Sequence, residues 1–356
     1  MEVTREKVLE ILSNVIEPDL KKDIVTLNLV EELEIENRTI KTKVKVSNPA
    51  LHARNRMKEA VKFALTKVLG DDLQLDIHVV GLAKDEQHIV PRKILPEVKH
   101  IIAVASGKGG VGKSTVTSNL AAGLVKAGYK VGVVDADIYG PSMPTMFDVV
   151  GERPTMIDVE GTPKISPVMA YGVQILSIGF FTDPDNAVVW RGPMASKALT
   201  QLFTDAYWGK LDYLLIDLPP GTGDIHLSLV QTVPLDGAVI VSTPQEVALA
   251  DARRGVNMFQ LETIKVPVVG IVENMAWFTP EELPENKYYI FGRDGAKNLA
   301  ASMNVPFLGH LPLVQGIREA GDLGRPAAFQ ENSPITEPLE ELVRNFVAQV
   351  ETVVNK

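Results

Sequence analysis

Four glycines, two lysines and a Ser-Thr pair fall within the nine residues Gly107-Lys108-Gly109-Gly110-Val111-Gly112-Lys113-Ser114-Thr115. Their spacing satisfies G-x-x-x-x-G-K-[ST], a P-loop pattern in which successive backbone N–H groups wrap phosphate oxygens. Glycine suits the tight turns that a side chain would block, and a helix starting at the end of the loop points its positive dipole end at the anion. Lys113 can reach the β- and γ-phosphates of a nucleotide, and the Ser114 hydroxyl can bind Mg²⁺.

Such a cradle needs carboxylates at the ends of neighbouring strands. Tyr213-Leu214-Leu215-Ile216-Asp217 supplies one, Asp217, on the Mg²⁺ side, acting through a metal-bound water. Val133-Val134-Asp135-Ala136-Asp137 supplies two more at i and i+2, which point the same way on an extended chain. Asp137 is suited to orient an attacking water, and Asp135 to support the loop and the Mg²⁺ shell. The stretch Leu218-Pro219-Pro220-Gly221-Thr222-Gly223-Asp224 is a loop able to sense a γ-phosphate; Asp224 either joins it or caps the next helix. Thr243-Pro244-Gln245-Glu246 reads as a capping box, giving Glu246 a structural role.

Strand, loop and helix must follow one another to hold these groups. His100-Ile101-Ile102-Ala103-Val104-Ala105 is a short apolar run of buried-strand type, and residues 114–127 are rich in Ala and Leu up to Gly128. Further strands are expected at 130–136, 173–178, 213–218, 237–242, 266–272 and 306–310, with helices between most of them. The expected fold class is therefore α/β, a P-loop NTPase with a mainly parallel sheet flanked by helices over residues 100–356. A last helix at about 335–354 carries Leu339, Leu342, Val343, Phe346, Val350 and Val353 on one side. Its polar side is acidic, so core packing is expected rather than a membrane surface. Residues 1–82 read as a separate small α/β domain: apolar positions from Val8 to Ile16 and over 57–69 are helical in period, while Ile40–Val46 alternates with lysines on one face. Residues 83–99, polar and carrying Pro91 and Pro96, read as a linker.

The bulk composition narrows the partners. With 36 basic against 45 acidic residues the formal charge is −9, which argues against a general nucleic-acid footprint. No apolar run approaches a membrane span, and no apolar stretch follows the charged N-terminus, so the expectation is a cytoplasmic protein with no membrane partner. There is no cysteine, which removes disulfides, thiolate metal sites and a cysteine nucleophile. The six histidines are scattered and show no metal-ligand spacing.

Lys108 makes the cradle more specific. Lys-Gly-Gly-x-Gly-Lys-[ST] resembles the deviant Walker A ATPases, the group containing MinD, ParA, the nitrogenase iron protein and the Mrp/ApbC carriers. Asp135-Ala136-Asp137-Ile138-Tyr139-Gly140-Pro141-Ser142, Trp190-Arg191-Gly192-Pro193-Met194 and Leu215–Asp224 are similar to the Mrp/ApbC branch. Ile16-Glu17-Pro18-Asp19-Leu20 and Asp23–Val30 are similar to the small domain fused ahead of many such carriers and found in other iron–sulfur assembly factors. The resemblance implies an ATP-hydrolysing homodimer in which Lys108 crosses to the partner subunit's nucleotide, Asn274 reads adenine with its amide, and iron–sulfur clusters pass to apoprotein clients. It also implies a C-x-x-C pair after Asn274-Met275 and a cysteine near Ser47–Leu51. The chain has Trp277-Phe278-Thr279-Pro280 in the first place and no cysteine in either, so soft thiolate ligation of a cluster by this chain is not expected. The alternative is a positional ATPase switch, like MinD or ParA, acting on a membrane or DNA.

Overall fold

The computed structural model describes residues 4–18, 22–27, 29–36, 39–46, 51–70, 73–81, 94–181, 192–223, 226, 229–230, 232–262, 264–280, 282–283, 285–331 and 333–354. The chain divides into two units, Met1–Lys93 and Ile94–Lys356.

In the first unit the elements run α1 (Arg5–Leu12), β1 (Val30–Glu36), β2 (Thr39–Val46), α2 (Leu51–Leu69) and β3 (Gln74–Gly81). Strand β2 is central, antiparallel to β1 and parallel to β3. Its alternation has the expected effect: Ile40, Thr42, Val44 and Val46 are buried, while Lys43 and Lys45 each reach Glu31 at 2.9 Å. Val8, Leu12, Val61 and Leu65 from the two helices close the core over that face.

The second unit begins with β4 (Val98–Ala105), inside the stretch expected to be linker; Leu95 ahead of it is already buried. There follow α3 (Lys113–Lys126), β5 (Val131–Asp135), α4 (Met143–Met146), β6 (Thr155–Val159), β7 (Thr162–Ser166), β8 (Val168–Ala170), β9 (Val173–Ser177), α5 (Gly192–Thr204), β10 (Leu211–Asp217), β11 (Gly237–Ser242), α6 (Glu246–Gln260), β12 (Val268–Glu273), α7 (Gly295–Met303), β13 (Phe307–His310), α8 (Gln315–Asp322) and α9 (Thr336–Val354). Eight strands form one sheet in the order β13-β12-β11-β4-β10-β5-β9-β8. All neighbours are parallel except the edge pair β8–β9. Every residue of β5, β11 and β12 is buried, as a parallel sheet covered on both faces requires. In α9, Leu339, Leu342, Val343, Phe346 and Val350 are buried, and Val343 packs over Gly123 of α3. Because β4, β10 and β5 are neighbours, their carboxyl ends share one edge, where open α/β sheets bind ligands.

Candidate functional site

The loop after β4 turns through left-handed backbone at Gly110 (φ 82°) and Gly112 (φ 79°) before α3 starts at Lys113. A side chain on Gly107 would run into the backbone of Asp251 in α6, so close approach also demands glycine there. Ser106 Oγ donates to the Lys108 carbonyl at 3.0 Å, and the Gly221 N–H donates to the Ser106 carbonyl at 3.0 Å, tying the cradle to the loop after β10.

Asp217, fully buried at the end of β10, gathers the cradle's polar side chains. Its Oδ2 accepts from Lys113 Nζ at 2.7 Å and from Ser114 Oγ at 2.6 Å, and its Oδ1 accepts from Thr117 Oγ1 at 2.7 Å. Lys113 is 6 % exposed, so this is a buried, hydrogen-bonded ion pair of the kind that fixes geometry. Lys113 Nζ also lies 3.9 Å from Asp137 Oδ2.

The strand register explains how the acids meet: Asp217 of β10 stands opposite Asp135 of β5, which stands opposite Ser177 of β9. Asp135 Oδ2 accepts from the Ser142 and Met143 N–H groups at 3.0 Å each and from Ser177 Oγ at 2.9 Å. Its carboxyl is pushed up to about 7, chiefly by burial and then by the Asp217 charge, against those donors and Lys113. Asp137 Oδ1 accepts from the Tyr139 and Gly140 N–H groups at 3.3 Å. Burial raises the Asp137 pKa, the Lys113 charge opposes the rise and Asp217 adds to it.

Asn274, just past β12, donates from Nδ2 to the Val111 carbonyl at 2.9 Å, so its amide nitrogen holds the cradle. The same nitrogen occupies the space a side chain on Gly112 would need. A cavity of about 400 Å³ beside the loop is lined by Gly112, Thr115, Asn274, Met275, Leu313 and Ile317, among others. Lys108 is half-buried and makes no ion pair among the described residues. Asp224 lies outside the described residues. The capping box at 243–246 does not form: α6 starts at Glu246 with Gln245 as its cap and no capping side chain, and Thr243 Oγ1 is buried without a hydrogen bond.

Three participants were not anticipated. Thr117 sits one turn after Lys113 on the same face of α3, a spacing that could have identified it. Ser177 is visible only through register. His226 is 2 % exposed with Nε2 unpartnered; burial lowers its pKa, opposed by a bond to the Pro219 backbone and aided by the Lys113 charge.

Residues 97–347 match the family described as NUBPL iron-transfer P-loop NTPase, and residues 5–74 match one described as iron-sulfur cluster assembly protein. The chain is 40 % identical over 352 residues to the iron-sulfur cluster carrier protein of Synechocystis, covering 98 % of each. It is 48 % identical over 265 residues to the protein of that name from Aquifex aeolicus, covering 74 % of this chain and 69 % of the relative. Among solved structures, a nucleotide-binding protein from Archaeoglobus fulgidus in complex with ADP is 36 % identical with a TM-score of 0.58, over 70 % of this chain and 95 % of that one.

Proposed function

Because the chain belongs to the family of iron-transfer P-loop NTPases, we propose that it is an ATP-hydrolysing, two-subunit switch that serves iron–sulfur cluster transfer to apoproteins. The observation that carries this reading is the convergence of Lys113, Ser114 and Thr117 on buried Asp217 beneath a loop in which Gly107 and Gly112 leave no room for a side chain.

The residues fit a Mg²⁺–nucleotide. The left-handed glycines leave the loop's N–H groups clear for the phosphates, and the N-terminus of α3 faces them. Bound phosphate would compete with Asp217 for Lys113. Ser114 and Asp217 then remain for the Mg²⁺ side, where the ion would supply charge neutralisation. Asp137, its Oδ1 pinned by two backbone N–H groups, has Oδ2 available to orient water toward the γ-phosphorus. Attack forms a phosphorus–oxygen bond to water and breaks the one to the β,γ-bridging oxygen, releasing ADP and phosphate. Lys108, without an ion-pair partner in its own chain among the described residues, is free to stabilise that charge across a dimer. Asn274 retains its carbonyl oxygen for the adenine amino group, since its amide nitrogen serves Val111.

The chain's residues do not fit thiolate ligation of a cluster, because cysteine is absent. A cluster is therefore cargo held by a cysteine-bearing partner or client, engaged and released by the ATP-driven switch. The reading of a membrane- or DNA-positioning switch has weaker support: the formal charge is −9, and no helix among the described residues is long and apolar enough to cross a membrane.

Light scattering on the full chain with ATP, ADP or no nucleotide tests the switch. A dimer that requires ATP is expected, and a mass unchanged by nucleotide would sink it. Lys113→Ala is expected to abolish ATP binding. Lys108→Ala should leave binding intact while cutting turnover by about 10³-fold, as for other charge-stabilising fingers. Unchanged turnover in Lys108→Ala would remove the proposed role in trans.

A further inference from the structure

One residue before Asn274, β12 ends in Glu273, which is 1 % exposed. His310 stands opposite it at the end of β13, and Asp294 is the residue capping α7. His310 Nε2 lies 3.1 Å from Asp294 Oδ1 and 3.6 Å from Glu273 Oε1, and one ligand atom from each residue lies within 4.8 Å of the others. We propose that Glu273, Asp294 and His310 form a binding site for a divalent first-row transition metal of the Zn²⁺, Co²⁺ or Fe²⁺ class, separate from the nucleotide's Mg²⁺.

The donor set decides the metal class. One imidazole nitrogen with two carboxylate oxygens suits borderline cations, whereas Mg²⁺ and Ca²⁺ prefer all-oxygen shells. Donors about 2.0–2.2 Å from such an ion lie roughly 3.0–3.5 Å from one another. The His310 nitrogen already stands 3.1 Å and 3.6 Å from the two carboxylate oxygens, and with all three ligand atoms within 4.8 Å the carboxylates need only draw in on a shared ion. The residues are also held as metal ligands usually are. Glu273 Oε2 accepts from the Ala296 N–H at 2.6 Å, which aims Oε1 toward His310. The Phe307 and Trp277 rings, with centroids 4.7 Å and 6.2 Å from that of His310, restrict the imidazole.

Charge points the same way. Two carboxylates, one buried and one partly exposed, meet here, and the exposed Arg293, stacked over the Tyr289 ring, reaches Asp294 at 3.5 Å but makes no ion pair with Glu273 among the described residues. A divalent ion would neutralise both acids; a protonated His310 would neutralise one. No spacing motif announces the site, because Glu273, Asp294 and His310 are brought together by the β12–β13 pairing and the cap of α7.

The test uses chelator-treated full-length protein without nucleotide, titrated calorimetrically with Zn²⁺ and followed by visible absorbance with Co²⁺. The expected result is one saturable equivalent per chain, weakened about tenfold or more in both His310→Gln and Asp294→Gly. His78→Ala, removing an exposed histidine paired with Asp76, should leave it unchanged. Asp294 has φ 57°, which glycine adopts without strain, so Asp294→Gly should keep or raise the melting temperature while losing metal. That variant decides the question if His310→Gln fails to fold. Absence of saturable binding, binding that persists in both site variants, or binding lost in His78→Ala would each overturn the assignment. The result is independent of ATP hydrolysis.

Discussion

Asp135 illustrates how much a single buried acid constrains this site. Its folded-state pKa of about 7 lies above the ~3.9 of an unfolded aspartate, so the native state holds the extra proton between those values. The associated cost is absent below about pH 4, grows as pH rises, and is complete above about pH 7. Asp135→Asn keeps an acceptor for Ser142, Met143 or Ser177 but cannot titrate. Urea unfolding from pH 4 to 8 should therefore show a shallower loss of stability with rising pH in the variant; Asp137 and Glu273, shifted in the same direction, retain the remainder. The meeting of Lys113, Ser114 and Asp217 was legible in the sequence because loop spacing and strand-end position place them at one sheet edge. Asp135 was legible as a strand-end acid, but its partner Ser177 was not: a serine in Gln174-Ile175-Leu176-Ser177 carries no signal until β9 is paired with β5. The metal-ligand trio was illegible for the same reason.

At the scale of elements, the P-loop glycines separate two physical demands. Gly110 has φ 82° and open space where a side chain would sit, so Gly110→Ala carries only the left-handed penalty of about 1–2 kcal/mol. Gly112 has φ 79° and the Asn274 amide in that space. Gly112→Ala should therefore lower the melting temperature more than Gly110→Ala and weaken ATP affinity further, because it displaces the Asn274–Val111 bond. Equal effects in thermal denaturation and nucleotide titration would show that Asn274 is not a latch. The buried parallel strands could be read from continuous apolar runs such as Ile101–Ala105. The edge strand β13 was expected at 306–310, but β1, β6 and β7 could not be read this way: acids hold four of the seven β1 positions and no residue of the β6–β7 hairpin is buried, so none carries a continuous apolar run. The capping reading at Thr243 failed because the helix starts two residues after Pro244, leaving the hydroxyl behind.

For the whole molecule, the absence of cysteine separates an ATP-binding fold from the ligands its family name leads one to expect. Reconstituted anaerobically with iron and sulfide, the purified chain is expected to show no stable, stoichiometric cluster absorbance; a robust cluster would require a ligand set other than thiolates of this chain. The structure also separates two lysines that the sequence sets only five positions apart. Lys113 is buried with Asp217, where screening by salt is weak, whereas the proposed contact of Lys108 would form only when two subunits approach through solvent. Ionic strength should tell them apart. Added salt, screening charges over about 10 Å at 0.1 M, would weaken the attraction of Lys108 for the partner's nucleotide and depress turnover while leaving the grip of one subunit's cradle on its phosphates comparatively unchanged.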